Sequence, residues 1–261
     1  MADEMEVCEV AARAGGVILG DWVGRFAVSN KGPRDLVTEA DLAAQREIRR
    51  ILLGAFPEHG FIGEEGEHVC APADVPCWYV DPLDGTTNYV HGAPAYCVSV
   101  ALARGDELLV GTIYDPVRDE CFTARAGGGA QLNGRPIRVA TTSTLADALV
   151  AVGFPAHVDR DAPSVRDFLA VLPTVQAIRR TGSTAINLAY VACGRFDAFW
   201  LRSIRPWDVA AGLLLVAEAG GTVLPMPPQL GRRVPLADPA FLVAASSALA
   251  DELIAVLPET G

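Results

Sequence analysis

Asp81-Pro82-Leu83-Asp84-Gly85-Thr86-Thr87-Asn88 is the stretch on which the reading of this chain turns. It follows Cys77-Trp78-Tyr79-Val80, an apolar run bracketed by Pro76 and Pro82. Aromatic and β-branched residues suit a buried strand, so Asp81 is expected at that strand's carboxyl end. Pro82 fixes φ, Gly85 permits a sharp bend, and Thr86, Thr87 and Asn88 offer N-cap side chains to a helix beginning here. Two carboxylates are thereby crowded beside a helix N-terminus. Such crowding needs a cation, and hard oxygen ligands at this density suit Mg²⁺ or Ca²⁺ better than zinc. The free N–H groups of a helix start bind phosphate, so metal and phosphate would meet in one place. The plainer reading is a polar surface turn.

Toward the N-terminus, apolar residues at helical spacing predict an amphipathic helix over 6–26. A loop over 31–41 then leads into a second helix over 40–56, with Thr38 and Asp41 spaced as a capping box. Phe61-Ile62-Gly63 reads as a short strand delivering Glu64 and Glu65. Adjacent side chains on extended chain point opposite ways, so one of that pair reaches a given site. Toward the C-terminus, 95–103 and 107–114 predict an antiparallel hairpin, and 120–124 a further strand. Gly127-Gly128-Gly129 is read as a turn, because neither Lys-Ser, Lys-Thr nor G-x-G-x-x-G spacing accompanies it.

A Thr/Ser-rich linker over 140–146 divides the chain into 1–144 and 145–261. The second part alternates strand 149–153, helix 162–172, strand 175–179, helix 183–193 and strand 197–201, which argues for an α/β lobe. Arg179-Arg180-Thr181-Gly182-Ser183-Thr184 falls at a strand-to-helix junction. It suits contacts to an anionic or hydroxylated ligand, or equally a capped helix beside surface arginines. Pro206-Trp207-Asp208 opens a helix to 219 that Gly220-Gly221 ends, and the helix dipole favours Asp208 in its first turn.

With 261 residues, 51% hydrophobic and 20% charged, the chain fits one large domain or two sharing a core. A net charge of −11 argues against non-specific nucleic-acid binding. The six cysteines show no zinc spacing and are expected as reduced, mostly buried thiols. His59, His68, His91 and His157 show no metal-ligand spacing and are expected on the surface or in loops. Neither a signal peptide nor a bilayer-length apolar run is present, so a cytoplasmic chain without a membrane partner is expected.

The octapeptide resembles the signature of the inositol monophosphatase family, magnesium-dependent and often lithium-sensitive phosphatases of small phosphate esters. Gly63-Glu64-Glu65 before it and Trp207-Asp208-Val209-Ala210-Ala211-Gly212 after it match in order and spacing, and the resemblance spans about 11–245. It implies an α/β layered sandwich, αβαβα, with an antiparallel sheet in the first part, a mixed sheet in the second and the site between them in one catalytic unit. By the same resemblance Glu64, Asp81 and the Leu83 carbonyl would hold one Mg²⁺, and Asp81, Asp84 and Asp208 a second, with two or three ions in all. Thr86, oriented by Asp41, and Glu64 would take the proton of the attacking water. Backbone N–H groups of Gly85, Thr86 and Thr87 would bind phosphate, and Gly182, Ser183, Thr184 and Arg202 would contact the substrate. Glu65 and Lys31 would support the site from behind. The substrate would be a small phosphorylated metabolite and the assembly a homodimer.

Many inositol-preferring members carry a glutamate where this chain has Leu201, which keeps histidinol phosphate, fructose bisphosphate and glycerol or nucleotide phosphates open, with Arg202 and Arg205 as contacts for a second anion. Other chemistries fail on spacing. An aspartyl-phosphate enzyme needs Asp-x-Asp, a cysteine phosphatase Cys-x5-Arg, and an EF-hand acids at loop positions 1, 3 and 5, and none of these occurs around Asp81 or the cysteines. Outside enzymes, a non-catalytic dimeric protein-binding module is the alternative.

Overall fold

A computed structural model describes residues 2–32, 35–66, 68–69, 72, 74–155, 157–229 and 232–258. The chain begins with α1 (Glu4–Trp22), the strands β1 (Val28–Gly32) and β2 (Asp35–Thr38), and α2 (Glu39–Ala55). Then come β3 (Gly60–Gly63), β4 (Cys77–Asp84), the short α3 (Thr86–Val90), and β5 (Cys97–Arg104), β6 (Glu107–Asp115), β7 (Glu120–Arg125), β8 (Gly129–Leu132) and β9 (Arg135–Pro136). Beyond a 3₁₀ turn at Leu145–Asp147 lie β10 (Leu149–Val152), α4 (Pro163–Val171), β11 (Ala177–Arg179), α5 (Thr184–Ala192) and β12 (Ala198–Leu201). The chain closes with α6 (Pro206–Glu218), β13 (Thr222–Pro225), β14 (Phe241–Ala244) and α7 (Ser247–Val256).

Among the described residues, β3 to β9 form a seven-stranded sheet in sequence order, antiparallel except for the β3–β4 pair. A five-stranded mixed sheet runs β11-β10-β12-β14-β13, and β1 pairs with β2 as a separate hairpin. Strand alternation, with a period of two, sorts the side chains into three cores. Val98, Val100 and Leu102 of β5, with Trp78 and Val80 of β4, face α1 and α2 through Ala11, Leu19, Ile48 and Leu52. The opposite face of β5 presents Cys97, Ala101 and Ala103 to Leu188 of α5 and Ala211 and Leu215 of α6. Ala151, Phe199, Phe241 and Val243 of the smaller sheet close on the same two helices from the other side. Its far face packs Val150, Val152, Trp200 and Leu242 against Val171 of α4 and Leu249 and Leu253 of α7.

The result is the five-layer αβαβα sandwich. The middle layer explains the composition of α6: eight successive residues from Val209 to Val216 are buried, as a helix enclosed by two sheets requires. Truncating one of them, Leu215→Ala, is expected to destabilise by about 2–5 kcal/mol through the cavity left behind.

Two expectations are corrected. The predicted strand at 77–80 runs on to Asp84, because pairing with β5 resumes after a bulge. The predicted loop over 31–41 contains the β1–β2 hairpin, in which Val28, Ser29 and Asn30 pair with Thr38, Val37 and Leu36. The stretch beyond 220 adds β13, β14 and α7, which apolar runs broken by proline and glycine did not announce. His59 lies in the turn before β3, as expected, and is buried there, 6% exposed, with its ring stacked on Phe56. The described cysteines, Cys8, Cys77, Cys97, Cys121 and Cys193, are free thiols, and Cys8, Cys97 and Cys121 are buried. Cys70 lies outside the described residues.

Candidate active site

The site forms where the carboxyl ends of β3 and β4 meet the N-terminus of α6. Asp81 and Asp84 are three residues apart, which on a regular strand would put them on opposite faces. Asp81 pairs with Ser99 and Asp84 with Cys97, so β4 carries one residue more than β5 between these pairs. That bulge contains Pro82, which lacks the N–H a regular ladder would use, and it turns both carboxylates to the same side. The Leu83 N–H donates to Asp81 Oδ1 at 2.9 Å and fixes the bend. Gly85 follows at φ +97°, and a Cβ there would lie 2.8 Å from the Ala95 carbonyl oxygen, so glycine is required on both counts. α3 starts at once, and its first amides have no intrahelical acceptor.

Glu64 comes from the end of β3, where its N–H donates to the Val80 carbonyl at 3.0 Å. Asp208 sits in the first turn of α6, and the Ser99 hydroxyl on β5 donates to the Trp207 carbonyl at 3.1 Å, tying that helix start to the larger sheet. Glu64, Asp81 and Asp208 bring one oxygen each within 4.8 Å of one another. Burial pushes Asp81 and Asp208 well above the ordinary carboxylate value, and the charges of their acidic neighbours add to it. Asp84 is pushed up to about 6, chiefly by burial, although hydrogen bonds from Ser183 and the backbone of α5 oppose the rise. Carboxylates held this close, with no imidazole or thiolate in the group, fit a hard divalent cation that would restore their ionised forms.

Asp41 serves two partners. Its Oδ2 accepts from the Thr38 N–H at 2.8 Å and the Thr38 hydroxyl at 2.6 Å, closing the capping box of α2, while its Oδ1 lies 3.4 Å from the Thr86 hydroxyl. The Thr86 hydroxyl also reaches the Leu83 carbonyl at 3.1 Å, so its single proton has two acceptors. Asp84 Oδ2 accepts from the Ser183 hydroxyl and the Ala185 N–H, both at 2.6 Å. Cys97 lies behind it with its thiol 3.9 Å from the same oxygen, and burial holds that thiol protonated.

A cavity of about 540 Å³ opens over these groups. Glu64, Asp81, Leu83, Asp84 and Asp208 form its acidic floor, with Gly85, Thr86 and Thr87 along one side and Gly182 and Thr184 opposite. Ser183 is buried beneath the wall, bonded to Asp84. Arg202 does not join them: it forms a bidentate pair with the buried Asp167 at 2.6 and 2.8 Å and also donates to the Pro258 carbonyl. The expected contact from Arg202 to substrate is not seen in this geometry, because Nε and Nη2 are engaged away from the cavity and the residue is not among those that line it. Arg205 is exposed at the start of α6. The Glu65 N–H donates to the Gln45 side chain at 2.9 Å. Lys31 lies on β1, and its side chain is outside the described part.

Residue types alone did not reveal Leu36, Phe154, Pro155, Val158 and Ile204, which give the cavity an apolar wall. Leu201 is buried in the middle core against Gly153, below that wall.

Five alternating layers with a carboxylate cluster at the seam between the sheets define a layered phosphatase fold, a class of phosphoric monoester hydrolases. Within that class the chain belongs to the inositol monophosphatase family, whose sequence pattern matches residues 2–261. It is similar to an inositol-1-monophosphatase of Rhizobium meliloti, 47% identical over 201 residues that cover 76% of this chain and 75% of the relative. It is also similar to the Nus factor SuhB of Pseudomonas aeruginosa, 42% identical over 221 residues, 82% of each chain. The crystal structure of the extragenic suppressor protein suhB from Bartonella henselae superposes with a TM-score of 0.90 at 37% identity, covering 98% of this chain and 99% of that one. Members of the family act on small phosphorylated substrates and are generally metal-dependent, and this chain is a phosphatase of that kind.

Proposed function

We propose that the chain hydrolyses a small polyol or sugar monophosphate, inositol 1-phosphate among them, with Mg²⁺ held by Glu64, Asp81, the Leu83 carbonyl, Asp84 and Asp208. The observation that carries this reading is the convergence of Glu64, Asp81 and Asp208 within 4.8 Å at the floor of the cavity. Bound Mg²⁺ would supply acidification of a water molecule and positive charge opposite the leaving oxygen. The protein's own groups do the rest. The attacking water's proton would pass to the Thr86 oxygen as that hydroxyl's own proton moves to Asp41 Oδ1, its hydrogen-bond acceptor, or directly to the Glu64 carboxylate. The N–H groups of Gly85, Thr86 and Thr87 hold the phosphate oxygens where α3 begins. Asp84 is locked by Ser183 and Ala185 through one oxygen, which leaves the other for the cation. Thr184 and Gly182 line the side on which the polyol would rest. Residues 1–144 and 145–261 act in this reading as one catalytic unit. A homodimer, lithium inhibition and a cytoplasmic location come with the family resemblance.

The test is phosphate release from inositol 1-phosphate, histidinol phosphate, fructose 1,6-bisphosphate and 2′-AMP with and without Mg²⁺, beside Asp81→Asn. Release that requires Mg²⁺ and disappears in the variant is expected. Release that survives chelation, or an Asp81→Asn protein as active as wild type, refutes the reading.

A further inference from the structure

Asn88 stands on α3, four residues beyond Asp84, and takes no part in the chemistry above. Its side-chain amide has two hydrogens and uses both: Nδ2 donates to the Ala95 carbonyl at 2.6 Å and to the Thr181 carbonyl at 2.9 Å. The first bond ties α3 to the chain returning into β5, and the second crosses to the strand-to-helix turn that forms the far wall of the cavity. Gly182, at φ +89°, packs closely against this amide. A Cβ there would come within 2.8 Å of Asn88 Nδ2 and 2.9 Å of Arg180 Nη1.

The turn that Asn88 grips is itself internally braced. The Thr181 hydroxyl donates to Asn187 Oδ1 at 2.7 Å and accepts from the Ser183 N–H at 3.3 Å. The Ser183 hydroxyl receives the Ile186 N–H at 3.2 Å, capping α5, and donates to Asp84. Two anchors thus join the phosphate-side loop to the opposite wall. One, at Asp84, ends on a candidate metal ligand. The other, at Asn88, touches no carboxylate of the floor.

We infer that Asn88 is a positioning residue: it sets the distance between the Gly85–Thr87 loop, where phosphate would sit, and the Gly182–Thr184 wall, where the rest of the substrate would rest. The inference builds on the proposed placement of substrate in this cavity. A substrate large enough to span both sides depends on that distance, whereas a small one held through its phosphate does not, and displacements of about 1 Å carry rate losses of up to about a hundredfold. A residue that merely stabilised the fold would affect every substrate alike.

The experiment compares wild type, Asn88→Ala and the near-isosteric Asn88→Asp, which keeps the shape but loses the donor. Each is assayed with inositol 1-phosphate and with glycerol 2-phosphate, over a Mg²⁺ titration, and by amide hydrogen exchange. Both variants are expected to lose about tenfold more kcat/KM on inositol 1-phosphate than on glycerol 2-phosphate. The Mg²⁺ midpoint should stay at the wild-type value, and amides 181–185 should exchange faster. Equal losses on the two substrates, or unchanged exchange across 181–185, overturn the inference. If wild-type protein hydrolyses neither ester, the proposed function fails on its own account, and the exchange comparison alone decides whether Asn88 holds the wall.

Discussion

Asp84→Asn should make the cation-free protein more stable while abolishing its catalysis. Asp84 is 9% exposed, and its carboxyl is pushed from 3.8 up to about 6 in the fold, chiefly by burial. A raised folded-state value means that the folded protein binds the proton more tightly than the unfolded chain. Stability therefore falls as pH rises from 3.8 through about 6, and it stays low above that range. A shift of about two units corresponds to about 3 kcal/mol near pH 7.5, and about half of that near pH 5, where the group is still mostly protonated in the fold. Asparagine stays neutral and keeps an oxygen for the Ser183 hydroxyl and the Ala185 N–H, so the stabilising contacts survive. It also removes one of the neighbouring charges that, after burial, raise Asp81 and Asp208. Urea unfolding in the presence of a chelator should show a gain of up to about 3 kcal/mol near pH 7.5, shrinking toward pH 5. In thermal scans the gain near pH 7.5 is worth about 6 °C or more. Adding Mg²⁺ should reverse the order, since wild type gains by ligand linkage what the variant cannot. A variant no more stable than wild type in chelator near pH 7.5, or a gain independent of pH, refutes the reasoning.

Arg202→Leu leaves Asp167, 1% exposed, without its partner, and should lower stability by about 3–5 kcal/mol in urea unfolding with KM unchanged. A raised KM at full folding would return Arg202 to the substrate. Glu218 accepts the N–H groups of Gly127 and Gly129, each at 2.8 Å, so Glu218→Gln should loosen that glycine turn by about 1–2 kcal/mol without touching kcat. Thr86→Val should lower kcat by about a hundredfold or more at nearly constant KM in steady-state kinetics, and Thr86→Ser should recover most of it.

The sequence was most legible where chemistry is carried by residue type. Glu64, Asp81, Asp84 and Asp208 announce themselves as acids in short motifs, and the cavity floor gathers all four. The alternation of β5 and the buried run of α6 were equally open to inspection, because periodicity is a local property. What stayed hidden depends on partners far along the chain. Pro82 was visible, but the extra residue in β4 exists only relative to β5. An arginine reads the same whether free or paired, and the partner of Arg202 lies 35 positions earlier. Asn88 looked like a helix cap until its amide met a carbonyl 93 positions away. Phe154, Val158 and Ile204 gave no signal, since an apolar side chain in a loop is ordinary.

The middle helix layer has a consequence for synthesis. Because α5 and α6 lie between the two sheets, the seven-stranded sheet is complete well before its second cover has been translated. Until residue 216 has left the ribosome, Cys97, Ala101, Ala103, Ile113 and Phe122 present a naked apolar face. Through the same interval Asp81 and Asp84 lack both the donors of α5 and the third acid from α6. Nascent chains that carry the seven-stranded sheet without residues 184–216 therefore expose this face, and a chaperone that shields apolar surface should hold them more than the complete chain.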